Sequence, residues 1–172
     1  IGYNDKNAII CVQRVASEVR IVRYLEDNMK DYPFYVGELN KLNYNWGKDW
    51  LPHDGYARRI EAQGQSGYDI LKKLGRNVAV KGMVPNLTVE EGIKVARQVF
   101  PRVYFDKDNA RTLVDNLKRY KRHIPLTTGE PGDPVHDAAS HGADAFRIMS
   151  LVVDKMRNEA ESVQLQYETV CA

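Results

Sequence analysis

The sequence predicts an α/β domain built on a mixed central sheet with helices on both faces. Two observations carry this. Two runs rich in apolar and β-branched residues, 7–15 and 18–26, stand two residues apart, the spacing of an antiparallel hairpin. From residue 66 onward, stretches with helical spacing alternate with short extended runs, as strand–helix units do.

The elements follow in order. "NAIICVQRV" (7–15) is apolar enough for a buried strand, and "EVRIVRYLE" (18–26) sets Val19, Ile21, Val22 and Tyr24 against Glu18, Arg20 and Arg23. Residues 32–47 hold a helix ending near Gly47, with Phe34, Val36, Leu39 and Leu42 apolar. "DWLPHDG" (49–55) reads as a short strand closed by Pro52 and Gly55. Ser66 can cap and Gly75 can end a helix over 66–75. A strand over 77–84 precedes a helix over 88–100, opened by the capping pair Thr88 and Glu91 and stopped by Pro101. A strand over 102–106 leads to a helix over 109–123 that turns Leu113, Leu117 and Tyr120 inward. Residues 124–136, rich in Pro, Gly and Thr, form a loop or small hairpin long enough to be functional. The last helix starts at Pro134 or Val135 and runs to about residue 158. Residues 158–172 lack a firm pattern; they extend that helix or dock elsewhere.

With 172 residues, the chain is long enough for one domain with a real core and short for two. Apolar residues make up 43% and charged residues 28%, ordinary proportions for a soluble globular protein. No run of eighteen apolar residues and no basic-then-apolar leader is present, so neither a membrane span nor secretion is expected. Cys11 and Cys171 form no metal-type spacing with each other, and a reducing, intracellular setting is expected. Ile1 opens what reads as a strand already under way, so the chain is expected to be a piece of something longer. The net charge is only +2, but basic residues cluster over 57–59, 72–76 and 118–123. Such clusters either follow a phosphate backbone or form a solvated face.

The stretch "PVHDAASHGADAFRIMSLV" (134–152) changes character along one face. At 100° per residue, Ala145, Ile148, Met149, Val152 and Met156 form an apolar stripe. Continued toward the N-terminus, the stripe takes in His141 and is edged by Asp137 and Asp144. Burying neighbouring carboxylates is costly, and a divalent cation removes their repulsion. The small residues Ala138, Ala139, Gly142, Ala143 and Ala145 let a metal with its waters, or a nucleic-acid backbone, come close. The competing structural explanation is that Asp137 caps the helix, Asp144 pairs with an arginine such as Arg147, and His141 is a satisfied core histidine. Asp54, at the end of an apolar strand, is either a turn residue or a second ligand, since open α/β sheets place sites at strand carboxyl ends. Oxygen ligands with room for water suit Mg²⁺ or Mn²⁺.

"LPHDG" (51–55), "GIKVARQVFPRVYFD" (92–106), "LVDNLKRYKRH" (113–123) and above all "HDAASHGADAFR" (136–147) resemble the nuclease domain of the large terminase subunit of tailed bacteriophages. The resemblance runs from Gly2 to about Met149. It implies a ribonuclease H-like fold, close to the Holliday-junction resolvases. It implies an endonuclease that cuts concatemeric viral DNA during genome packaging, in the cytoplasm of the infected host. Its implied partners are double-stranded DNA, the terminase ATPase domain, the small terminase subunit and the portal. The implied site holds two divalent metals on three acids, of which Asp54 matches the second and Asp144 the third. The first belongs to an opening Asp-x-Gly-x-x-Asp, which places it just before Ile1; Asp5 matches the second acid of that pattern and can assist at the metal site. No Gly-x-x-x-x-Gly-Lys-Ser/Thr phosphate loop is present, so this piece is not expected to hydrolyse ATP.

The implied chemistry is two-metal phosphodiester hydrolysis, with ions about 4 Å apart. Asp54 and Asp144 each hold a metal. His141 orients the Asp144 carboxylate or reaches the scissile phosphate, and His136 and Asp137 support the ligands. Lys118, Arg119, Lys121, Arg122, Arg58, Arg59 and Lys72 follow the DNA strands, and the loop 124–133 works as a flap over the duplex. Rival readings are a junction resolvase-like or transposase-like nuclease on the same fold, and a non-catalytic module that docks DNA or the portal.

Overall fold

The computed structural model describes residues 7–58, 60, 63–127 and 129–157. Asp5, Arg59 and the segment 158–172 lie outside the described residues.

Strands β1 (Asn7–Val15) and β2 (Glu18–Asp27) form the antiparallel hairpin, turning at Ala16. A bulge falls between Cys11 and Val12, where Cys11 pairs with Arg23 and Val12 with Ile21. Val22 is the extra residue. The bulge explains why β2 does not alternate strictly: its buried side chains are Val19, Ile21 and then Tyr24, a step of three across the irregularity. Strand β3 (Val103–Phe105) joins β2 in parallel, pairing Val19 with Val103 and Ile21 with Phe105. The sheet is therefore mixed and small, in the order β1-β2-β3.

Helices α3 (Val89–Val99), α4 (Arg111–Arg119) and α5 (Ser140–Val152) build the main core with this sheet. Val19, Ile21, Val99, Leu113, Phe146, Met149 and Val153 are buried together there. Phe146 stacks on Phe105, with ring centroids 6.3 Å apart, and meets Phe100 edge-on at 5.7 Å. A smaller cluster of Val36, Leu51, Leu71 and Val78 gathers α1 (Tyr32–Lys41) and α2 (Gly67–Lys73). Helix starts follow their caps: Asp31 accepts from the Phe34 N–H, and Ser66–Asp69 and Thr88–Glu91 form reciprocal capping boxes.

Several expected elements are shorter. The first helix stops at Lys41, where the Leu42 N–H turns back to the Leu39 carbonyl. The strands expected over 49–55 and 77–84 are reduced to one parallel bridge between Asp49 and Val78. Pro52 leads into a 3-10 turn, His53–Tyr56, and Gly82 takes a positive φ of 90° in a turn. Helix α4 ends before Tyr120, which is extended. Helix α5 begins at Ser140 instead of residue 134 or 135. Pro134 is bridged to Arg122, and the Asp137 carboxylate accepts from the Ala139 N–H in a turn ahead of the helix. A 3-10 turn, Val153–Lys155, follows α5.

The buried face of α5 is also rotated from the expected stripe. Ala143, Phe146, Met149, Ser150 and Val152 are buried, whereas Ala145 and Ile148 are only half-buried. The aromatic cluster around Phe146 sets the face. His141 and Asp144 consequently sit half-buried at its margin.

Candidate functional site

The start of α5 and the turn ahead of it collect His136, Asp137, His141 and Asp144. The His136 and His141 rings meet edge-on, with centroids 5.6 Å apart. Ser140 Oγ donates to the Asp137 carbonyl at 2.8 Å and lies 3.2 Å from His136 Nδ1. A hydroxyl has one proton; given to the carbonyl, it leaves the oxygen to accept from His136 Nδ1–H. His136 and Asp137 are exposed, and Ser140 is buried beneath them.

Asp144 lies one turn further on. Its Oδ1 accepts from Arg147 Nε and Nη2 at 3.2 and 3.0 Å. The carboxylate remains 45% exposed, against 16% for the arginine side chain, and Oδ2 accepts no hydrogen bond among the described residues. Arg147 is held in turn by α3: a Cβ on Gly92 would stand 2.7 Å from Arg147 Cδ, so the glycine makes room for the arginine stem. Tyr120 joins the same group. Burial, and then the Asp144 carboxylate, push its phenol above the ordinary value, while Arg147 and Arg122 pull it down. Arg122 pairs with Glu90 of α3, which ties the segment after α4 to this cluster.

Beneath α5, Gly142 permits a close approach to a polar cluster. A Cβ there would lie 2.8 Å from Asn116 Nδ2 and 3.0 Å from Tyr24 Oη. Both groups donate to Glu26 Oε2, Asn116 at 2.9 Å and Tyr24 at 3.0 Å. Glu26 is thus a carboxylate on β2 held under the first turns of α5. Sequence reasoning passed over it as one more polar residue of an alternating strand.

Asp54 belongs to a differently supported place. It is exposed, on the 3-10 turn His53–Tyr56, which packs against α2. Tyr56 fixes that turn by donating to the Ala79 carbonyl at 2.8 Å. His53, next to Asp54, carries a buried Nε2 with no hydrogen-bond partner among the described residues. The imidazole is a second group that sequence reasoning missed, and its unmet ring nitrogen is the signal that marks it. Among the described residues, no three His, Cys, Asp or Glu side chains converge to hold a metal ion. Asp144 is carried by α5, and Asp54 by the 3-10 turn next to His53.

Of the expected DNA-binding cations, Lys118, Arg119 and Lys121 are exposed around the end of α4, and Arg58 and Lys72 are exposed near α2. Arg122 is engaged by Glu90. Arg59 and Asp5 lie outside the described residues. No helix among the described residues is long and apolar enough to cross a membrane. No family model, no curated protein and no solved structure matches the chain.

Proposed function

We propose that the chain is a metal-dependent DNA endonuclease of the ribonuclease H-like kind, the nuclease part of a terminase large subunit that trims viral DNA during packaging. The observation that carries this reading is the first half of α5. It sets His141 and a half-exposed Asp144 on the margin of the helix's buried face, with the His136 ring against His141 from the turn ahead and exposed cations at the end of α4. Asp54 and Asp144 are the residues that would hold Mg²⁺ or Mn²⁺, with the remaining acid contributed from outside the described residues. Bound ions of that kind supply an activated water and neutralise charge on a phosphate. The chain's own residues divide the other tasks. Arg147 keeps the Asp144 carboxylate aimed, and His141 lies within reach of a phosphate approaching the start of α5. Lys118, Arg119 and Lys121 steer the backbone, so binding is expected to weaken steeply with salt and to show little sequence preference. The partners proposed on this reading are double-stranded DNA, the terminase ATPase domain, the small subunit and the portal.

One observation favours a second reading, a DNA- or portal-docking module without catalysis. Asp144 already has a partner in Arg147, and Asp137 is already used in the turn before α5. Plasmid nicking separates the two. The nuclease reading expects Mn²⁺-dependent nicking that Asp144→Ala abolishes; DNA binding with no nicking at any metal concentration supports the module.

A further inference from the structure

We propose that the hairpin between α4 and α5 is a wedge that inserts Leu126 at a base step of DNA, while cations at its root hold the flanking phosphates. The inference rests on the reading of DNA as the partner, and it narrows the substrate to duplex with deformable or weakly stacked steps.

The hairpin is a built element. The Val135 N–H donates to the Lys121 carbonyl at 2.9 Å, the His123 N–H to Asp133 at 3.0 Å, and the Gly132 N–H to His123 at 2.8 Å. Arg122 Nη1 adds a bond to the Gly132 carbonyl at 3.1 Å. The Gly129 N–H closes the tip on the Pro125 carbonyl at 2.9 Å. Pro125, Pro131 and Pro134 restrict the backbone further, so little ordering entropy remains to be lost on binding. A stem made this carefully nevertheless ends in apolar side chains turned to water: Leu126 is 104% exposed and Ile124 57%.

Two side chains are too few for a protein interface core, and the charges around them name a different partner. Lys118, Arg119 and Lys121 stand at the root, exposed, with no acidic partner among the described residues. The hairpin's own acids, Glu130 and Asp133, lie on the returning arm. That arm runs directly into His136 and the start of α5, so a duplex gripped by the hairpin is delivered to the proposed site. Apolar wedges of Leu or Ile that unstack a step, backed by phosphate-binding cations, are an established way of bending DNA. The unstacking costs a few kcal/mol and is smallest at flexible pyrimidine–purine steps, mismatches and nicks.

The test uses the full chain and a short duplex with 2-aminopurine at a pyrimidine–purine step. Binding is followed by anisotropy and unstacking by fluorescence. The proposal expects a several-fold fluorescence rise at saturation, lost in Leu126→Ser although that variant still binds duplex at low salt. It expects Lys121→Ala to weaken binding and lower the salt slope by about one, with the rise retained at saturation. No rise with wild-type chain bound, or an undiminished rise with Leu126→Ser, overturns it. So does binding through Leu126 to anionic phosphatidylserine vesicles in place of DNA. Metal-dependent nicking without a rise sinks the wedge and leaves the nuclease reading standing; a rise without nicking does the reverse.

Discussion

Asp144 and Asp54 are the two acids on which the proposed activity turns, and they stand on supports of unlike strength. Asp144 rides on a thirteen-residue helix whose inner face is locked into the larger core through Phe146 and Met149, with Val153 just beyond its end. Asp54 rides on a four-residue turn backed by a cluster of four buried side chains and a single bridge between extended segments. A charged pair compensates on that side. Arg76, 6% exposed in its side chain, donates to both oxygens of Asp49 at 2.7 and 2.6 Å and lies 4.9 Å from the centre of the Trp46 ring. One carboxylate thus stands on the larger apolar core, and the other on a smaller cluster with an ion pair on the same side. The lesson is that the two should fail for different reasons.

The largest effect is expected from Phe146→Ala. It empties the centre of the larger core and should cost about 3–5 kcal/mol, measured by urea denaturation. A loss below about 1 kcal/mol would mean that α5 is not held as described. Next comes Asp49→Ala, which strands the Arg76 guanidinium in a nearly dry place and should cost about 3 kcal/mol. Its hydrogen-exchange signature should be local, with protection lost around residues 49–79 and kept in α5. Equal loss in both regions would show that they are one unit.

A smaller effect sharpens the boundary between them. Cys11 is buried on β1, and its thiol is pushed up from 9.0 to about 11, chiefly by burial. Arg23 and Arg76 pull it down and Asp49 pushes it up, so the thiol senses both sides. The folded chain then keeps a proton that the unfolded chain releases. The stability this contributes is complete below pH 9.0 and fades as pH rises toward about 11. Denaturation midpoints should fall more steeply across that window in wild type than in Cys11→Ala; parallel slopes would contradict the burial of this thiol.

The parts of the fold written plainly in the sequence are those that local chemistry dictates. Thr88 with Glu91, Ser66 with Asp69, and the two-residue spacing of the hairpin each fix an element without help from the rest of the chain. The run at 77–84 shows the limit: its composition suits a strand, yet only Val78 bridges a neighbour, because strands depend on what lies beside them. The start of α5 departs from the sequence pattern for a similar reason. Pro134 and the alanines suit a helix, but Pro134 is taken by the hairpin and Asp137 by a turn. At the site, only His141 and Asp144 share α5 and follow from helical spacing; His136 precedes the helix and comes near His141 through the turn at Asp137. The pairing of Asp144 with Arg147 was visible as a competing possibility. The orphaned ring nitrogen of His53 and the carboxylate of Glu26 under Gly142 come from contacts between distant elements, which no local pattern encodes.

The claim that Asp54 and Asp144 serve one cation site is tested most directly by calorimetric titration of Mn²⁺ into the chain, alongside Asp54→Ala and Asp144→Ala at matched fold stability. A metal-binding heat is expected in the wild-type chain, and each substitution should remove it or weaken binding at least tenfold, about 1.4 kcal/mol. Binding that ignores either substitution, or no binding by a chain that nonetheless nicks DNA, would contradict it.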